Sequence, residues 1–339
     1  MSAAAVNEAP ASGRPRVAFL AWTDRTPRAD EIAASVGGVA QRFDGYGLRG
    51  RATAPLRYVL NGLGTIAWLA WRRPRAVVTQ NPPVFVGLIA WLYGLATGVP
   101  VLLDSHPASF GRKDGLWKVM LPVHRFLARR ARLVLVTAPE LADEVRAWGG
   151  RAAEVHEAPV AELTATPAPE LAAGERLRVF YVGVFAPDEP AGAVIEAARL
   201  VPDADVRITG DLRRAPAGLV EGAPENVTFV GFLAPEDYRR ELREAHVVMT
   251  LTTDPTSVMR SGYEAVYAGR PLVTSEWPVL RSTFPYAVHA EGRPEALAAA
   301  LTEATRRHAE LRASTAPALT HQQATWASQH AAIEEAITS

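Results

Sequence analysis

The sequence predicts an α/β protein made of two units, each a parallel sheet covered by helices. Three observations carry that prediction. Short apolar runs alternate with helical stretches along nearly the whole chain, the order that places parallel strands in one sheet. The alternation is interrupted by the Pro/Ala-rich segment APVAELTATPAPELAAGE at 158–175 and then restarts. The chain has 339 residues, 48% hydrophobic and 21% charged, enough length for two domains and enough apolar side chain for a core in each.

Taken in order, residues 1–15 are small and polar with two prolines. They read as a disordered tail and not a signal peptide, because no apolar core follows a basic start. RVAFLAW (16–22) is an apolar run bounded by polar residues, hence a buried strand. RADEIAASVGG (28–38) has helical spacing and ends in glycine. A basic, Gly-containing stretch leads to Arg57, and 58–71 reads as a helix. AVVTQ (76–80) is a strand, and 83–98 a helix entered through Pro82 and Pro83. VPVLLDSH (99–106) is a strand with a polar carboxyl end, and 115–131 a helix that Pro122 bends. RLVLVTA (132–138) is a strand, and 139–150 a helix opened by Pro and closed by Gly.

The second half repeats the scheme. Strands are expected at 178–184, 205–211, 227–232, 246–253 and 270–277, with helices at 190–201, 235–245, 261–269 and 293–311. A last helix at 322–337 follows a break at 315–318. The organisation expected is two facing Rossmann-like domains. The first spans 16–160 and is completed by the terminal helix at 320–339; 161–175 is a linker; the second spans 176–319.

Composition removes several function classes. There is no Cys, so neither a disulfide framework nor a thiolate metal site is possible. The formal net charge is zero, which argues against a dedicated nucleic-acid binder. That zero hides an asymmetry: residues 1–160 hold 20 basic and 12 acidic side chains, and residues 161–339 hold 16 and 24. The eight His are scattered without metal-ligand spacing, and neither a Walker loop nor a G-x-S-x-G elbow is present. The longest apolar stretch, 84–100, is broken by Gly87, Gly94 and Gly98; a bilayer span needs about 20 apolar residues. A cytoplasmic protein is expected.

In open parallel sheets, ligands bind beyond the carboxyl ends of the strands. After the strand at 246–253 comes DPTSVMRSGYEAVYAG, with a helix amino end near Ser257, Arg260, Ser261 and Gly262, and with Glu264 farther in. Free N–H groups there favour a diphosphate, Arg260 adds charge, and a carboxylate at Glu264 suits ribose hydroxyls. The alternative is that Glu264 is a solvated acid complementing the helix dipole. After VPVLLD, Asp104 and His106 alternate about Ser105 and point to one side, as a general base and its partner would. They equally suit a turn cap and a packed ring. Gly183, and Arg213 with Arg214, follow two strands of the second half and could approach a phosphate; exposed Arg pairs are also common. Arg25 and Arg28 follow the first strand and could bind an acceptor phosphate or belong to a polar loop.

Several of these runs fall together. TQNPPVFVGLIAWLYGLATGVPVLLDSH, ITGDLRR, VTFVGFLAPEDY and LTTDPTSVMRSGYEAVYAGRPLVTSEWPVLRSTFP resemble GT-B glycosyltransferases of the family 4/family 1 superfamily. Within it they are similar to prokaryotic relatives of the β-mannosyltransferases acting on chitobiosyl-diphosphodolichol. The resemblance spans about residues 16–310. It implies two facing domains with a cleft between them, a nucleotide-diphosphate sugar held by the second domain, an acceptor held by the first, and transfer without a bound metal or other cofactor. Glu264 then matches the second Glu of the E-x7-E motif, but Ser257 stands where the first Glu belongs. The Arg and Lys common after the first strand of the donor domain are absent, with Val184 and Glu189-Pro190 near that place. Arg213, Arg214 and Arg260 are the substitutes expected for the diphosphate. Asp104 and His106 match the D-x-H segment, and Asn81 joins Arg25 and Arg28 as an acceptor contact.

The function expected is transfer of a sugar to a glycan, lipid-linked or natural-product hydroxyl. A catalytically silent GT-B partner and a GT-B sugar-nucleotide epimerase are the alternatives. The basic first half, with Trp68 and Trp71 beside Arg72, Arg73 and Arg75, and with Lys113, Lys118, Arg125, Arg129, Arg130 and Arg132 on one stretch, suits peripheral contact with an anionic membrane face. A solvated basic face over a core stripe has the same composition.

Overall fold

A computed structural model describes residues 14–24, 26–48, 50, 52–111, 116–160 and 162–338. The tail expected over 1–15 lies, apart from Arg14 and Pro15, outside the described residues, as do Arg25 and Lys113. The chain divides into two compact units, Met1–Ala158 with Trp326–Ser339, and Pro159–Thr325.

The first unit runs β1 (Val17–Ala21), α1 (Pro27–Ser35), β2 (Val39–Arg42), α2 (Ala54–Arg72), β3 (Ala76–Asn81), α3 (Val84–Thr97), β4 (Val101–Ser105), α4 (Leu116–Arg130), β5 (Leu133–Val136), α5 (Pro139–Ala147) and β6 (Ala152–Glu154). Its strands are parallel, in the order β2-β1-β3-β4-β5-β6. Alternation along the strands feeds two apolar layers. Val17, Phe19, Val78 and Leu102 pack on Ile32 of α1 and on Trp326 and Ile333 near the carboxyl end of the chain. Ala18, Leu20 and Val77 turn the other way, onto Leu69 of α2 and Val86 and Ala90 of α3. The return from α3 to β4 is tight. A Cβ at Gly94 would come within 2.8 Å of the Val101 side chain, so only glycine fits there.

The second unit runs β7 (Leu177–Val182), α6 (Ala191–Leu200), β8 (Ala204–Thr209), β9 (Val227–Gly231), α7 (Pro235–Glu244), β10 (Val247–Thr250), α8 (Arg260–Tyr267), β11 (Leu272–Ser275), α9 (Pro278–Thr283), β12 (Val288–Ala290), α10 (Pro294–Arg306) and the start of α11 (His308–Thr338). Its sheet is also parallel, in the order β12-β11-β10-β7-β8-β9. Both sheets with their helices make the α/β arrangement expected.

Three strands were not expected. β2, β6 and β12 (VAQR, AAE and VHA) lie at sheet edges and are too short and too polar to show an apolar run. The helix expected at 293–311 ends at Arg306, and α11 begins two residues later, at His308. The expected break at 315–318 is absent, because α11 carries Pro317 within it. One lost N–H is outweighed by a long run of good helix formers on both sides.

Candidate functional site

Each sheet reverses its strand order once, between β1 and β3 in the first unit and between β7 and β10 in the second. A crevice opens at such a switch point, beyond the carboxyl ends of the strands.

In the second unit the loops after β7 and β10 are tied across the switch point. The Thr253 N–H donates to the Asp188 carbonyl at 2.7 Å, and Thr252 Oγ1 lies 3.3 Å from Asp188 Oδ2. Behind them stands α8. Arg260 opens it, and the Arg260 Nε–H donates to Glu264 Oε1 at 2.8 Å. The Tyr238 hydroxyl donates to Glu264 Oε2 at 2.5 Å. Burial and then the Glu264 charge push the Tyr238 phenol well above its ordinary range, so Tyr238 stays a donor. A carboxylate offers about four lone-pair sites, so Glu264 retains acceptor capacity beyond these two bonds.

The other expected residues of this unit sort differently. The Ser261 hydroxyl shares a 2.6 Å hydrogen bond with Thr250 Oγ1 and is buried. Gly262 is required by packing, since a Cβ there would meet the Phe284 ring at 2.8 Å. Ser257 is half-buried in the turn before α8, its N–H on the Asp254 carbonyl at 3.2 Å. Arg213 is 89% exposed and folds back onto Asp211 at 2.8 Å; Arg214 is exposed beside it. The structure does not bring this pair together with Glu264 by any hydrogen bond or ion pair among the described residues. At Gly183 a Cβ would lie 2.9 Å from Glu189 Oε2. That carboxylate accepts the Val184 N–H at 2.8 Å and the Ala186 N–H at 3.2 Å, beside Phe185 at φ +55°. The concave run of N–H groups that could hold an anion is therefore filled by the chain's own Glu189. Burial pushes the Glu189 carboxyl upward in spite of these donors.

In the first unit, Asp104 is the penultimate residue of β4 and is 2% exposed. Arg28 of α1 grips it: Nε lies 3.1 Å from both carboxylate oxygens, and Nη2 3.0 Å from Oδ1. Arg28 also donates to Glu157 Oε1 and to the His156 and Val155 carbonyls, each at 3.0 Å. Burial alone would raise the Asp104 carboxyl, but the charges of Arg28 and then His106 outweigh it and hold the group well below the usual range. Arg28 is thus corrected from an acceptor contact to an internal strut, with 4% of its surface exposed. His106 follows β4, 31% exposed, with Nε2 3.2 Å from Asp104 Oδ2. Its N–H donates to the Asn81 carbonyl at 2.8 Å, so the ends of β3 and β4 are locked together. Asn81 itself is buried, and neither side-chain amide atom has a partner.

A cavity of about 500 Å³ lies at this switch point, lined by Trp22, Asp24, Asp44, Arg57, Tyr58 and Asn61 among others. Trp22 and Tyr58 form an aromatic pair, centroids 5.8 Å apart, and Asn61 Oδ1 is buried without a partner. Nothing in the sequence reading singled out Asn61 or Tyr58. The G-x-G-x-x-G spacing at Gly45, Gly47 and Gly50 was also missed, and Gly47 lines the cavity. The glycines follow β2, and α2 begins four residues after Gly50, so they do not form the tight strand–helix turn of a dinucleotide fingerprint.

The outer faces of three neighbouring helices are apolar: Leu56, Val59, Leu63, Ile66 and Trp71 on α2, Leu92 and Leu95 on α3, and Val119 and Phe126 on α4 are exposed. Arg72 lies over the Trp71 ring at 5.1 Å and Arg130 over the Phe126 ring at 5.4 Å. Trp68, expected with Trp71, instead packs against the core. No described helix is long and apolar enough to cross a membrane. Among the described residues no three His, Asp or Glu side chains converge to hold a metal ion.

Comparison with known proteins bears on both units. The family described as glycosyl transferase 4-like domain matches residues 5–161, and that described as glycosyl transferase-like matches 192–335. No curated protein matches the chain. Solved structures share the fold. Sucrose-phosphate synthase from Thermosynechococcus elongatus is 17% identical with a TM-score of 0.72, over 95% of this chain and 98% of that one. Anabaena HepE in complex with UDP and glucose is 13% identical with a TM-score of 0.71, over 95% and 98%. A glycosyltransferase from Rickettsia africae is 10% identical with a TM-score of 0.64, over 96% and 100%.

Proposed function

The chain belongs to the GT-B glycosyltransferases of the family 4/family 1 superfamily, and we propose that it moves a sugar from a nucleotide-diphosphate donor to an acceptor hydroxyl. The observation that carries the donor half is the α8 start. Glu264 has acceptor capacity left for ribose hydroxyls, and Arg260 with the first-turn N–H groups favours a diphosphate. HepE was crystallised with UDP-glucose, which makes uracil the first base to test.

The acceptor belongs to the first unit. His106 is the base we infer. Asp104, held ionised by Arg28, is a poor proton acceptor and acts as a positioning residue. Its carboxylate lies 3.2 Å from His106 Nε2 and orients the ring toward the acceptor. As the acceptor oxygen forms its bond to the anomeric carbon, its proton passes to His106 and the nucleoside diphosphate departs with the bonding pair. No step uses a protein-bound metal. The unpartnered Asn61 oxygen and the Trp22–Tyr58 pair suit a hydroxyl-bearing ring in the adjoining cavity. The apolar faces of α2, α3 and α4, rimmed by arginine, suit an anionic lipid surface and hence a lipid-diphosphate-linked acceptor. The resemblance to enzymes acting on dolichol-linked sugars supports the same acceptor class.

A thermal-shift screen against UDP, GDP, dTDP, ADP and CMP tests the donor site, since a native-state ligand raises the Tm. One nucleoside diphosphate raises it, and Glu264→Ala abolishes that rise; an unchanged rise removes the ribose role. Co-sedimentation with anionic vesicles tests the lipid face, and Leu63→Glu with Leu95→Glu abolishes it; no binding by the native protein at low salt ends that part. Glu189, filling the loop where the family carries Arg and Lys, favours a second reading, a silent GT-B partner. Nucleotide binding without turnover across donors and acceptors would establish it.

A further inference from the structure

Arg270 is a buried charge of the second unit that the proposed chemistry does not use. It follows the carboxyl end of α8 and is 2% exposed. Its Nη2 donates to the Thr166 carbonyl at 3.1 Å and to Thr166 Oγ1. Nε and Nη1 are buried and have no partner. A guanidinium carries five N–H donors, so the one on Nε and the two on Nη1 are unmet. No described carboxylate pairs with it, in contrast to Arg28. Burial, and then the charge of Arg243, push its pKa down to about 10, the direction expected where positive charge lacks a counter-charge. The carboxyl-end dipole of α8 offsets part of that charge but accepts neither unmet group.

Arg270 lines a cavity. It is bounded by Arg270, Thr283, Tyr286, Thr315, His321 and Gln322 among others, all within the second unit, and no Asp or Glu lines it. Thr283 is buried there, and its Oγ1 also has no partner. The cavity measures about 20 Å³. A water needs roughly 10–15 Å³ on this scale, so the space admits one small particle and excludes a nucleotide or a sugar. A buried cation with unmet donors, a hydroxyl beside it, no carboxylate, and room for one particle select a single small anion.

We propose that the second unit binds one chloride-sized anion between Arg270 and Thr283, at a site separate from the residues assigned to the sugar donor. The ion takes the Nε and Nη1 hydrogens and the Thr283 hydroxyl hydrogen. It ties together the turn between α8 and β11 and the end of α9, beside the first half of α11. Glu264 lies on the helix that this ion anchors at its other end. The inference does not depend on glycosyl transfer and stands or falls by itself.

The test compares the intact protein in sodium gluconate, whose anion is too large for the cavity, with sodium chloride and sodium bromide at equal ionic strength. Chloride and bromide raise the Tm saturably, by about 2–4 °C at tenfold excess over the Kd. Arg270→Met removes the halide dependence and Thr283→Val weakens it. Crystals of the native protein grown in bromide show an anomalous peak in contact with Arg270, a readout that needs no folded variant. Equal melting in halide and gluconate, or a water with no anomalous signal in that cavity, would overturn the proposal.

Discussion

The two sheets reverse at equivalent places, yet their carboxyl ends are finished in opposite ways. In the second unit the loops satisfy one another: Asp188 accepts from Thr253, Glu189 from Val184 and Ala186, and Glu264 from Tyr238 and Arg260. A ligand arriving there meets loops already tied, with the spare lone pairs of Glu264 as its acceptor. In the first unit, Asn61 Oδ1 and the amide of Asn81 are unmet, and an open cavity adjoins Asn61. A ligand arriving there completes bonds that the protein lacks. The lesson is that one side ties its loops in advance around a carboxylate with spare lone pairs, and the other leaves polar atoms for a guest to complete. The exception on the first side is the Arg28–Asp104 pair, which is fully engaged.

Arg28→Met attacks that exception and carries the largest expected effect. It strands Asp104 and Glu157 without their cation, and leaving a buried charge unpaired costs about 3–5 kcal/mol. Urea unfolding measures it; a loss under about 1 kcal/mol would show the strut to be dispensable. His106→Ala comes next, with kcat reduced about 10²–10⁴-fold and nucleotide binding retained. Asp104→Asn lowers kcat and shifts its acid limb, as expected of a group acting through the ring. Full turnover in both variants would place the base elsewhere.

His124 gives the third effect. It is buried against Phe110 and Trp148, bonded to Ser105 Oγ at 3.1 Å and to the Ser109 carbonyl at 2.9 Å. Burial pushes its pKa down to about 4 from an ordinary value near 6.5. The unfolded chain therefore takes up this proton first. Its stabilisation is complete above about pH 6.5 and fades as pH falls to about 4, worth about 3 kcal/mol in all. His124→Gln flattens that part of the stability–pH curve; an identical curve would show that the ring charges in place. Burial lowers His246, His289 and His308 as well, so only the difference between variant and parent reports on His124.

Glu189→Gln is the smallest change. An amide oxygen still accepts the loop N–H groups while the negative charge goes, and nucleoside diphosphate affinity rises about fivefold, less at high salt. Calorimetry at two salt concentrations reads it, and weaker binding would mean that the carboxylate helps the ligand.

What could be read in the sequence followed the apolar runs. Every strand with four or more consecutive buried positions, such as β1 and β4, announced itself, while VAQR, AAE and VHA at the edges did not. The candidate site was legible where neighbours in sequence are neighbours in space. Arg260 with Glu264, and Asp104 with His106, are of that kind. Arg28 was misread because its partners lie 76 and 129 residues away, and nothing local marks an arginine as internal. Asn61, Thr283 and Arg270 escaped for the same reason: an unmet polar atom is a property of its surroundings.

The last turns of α11 carry a consequence for synthesis. Trp326, Ile333, Ala336 and Ile337 belong to the same apolar cluster as Val17 and Phe19. A nascent polypeptide that has emerged only as far as Ala158 lacks those four plugs, and part of its β-sheet stays wet until Ile337 has emerged. Of the two units, the one begun first is completed second.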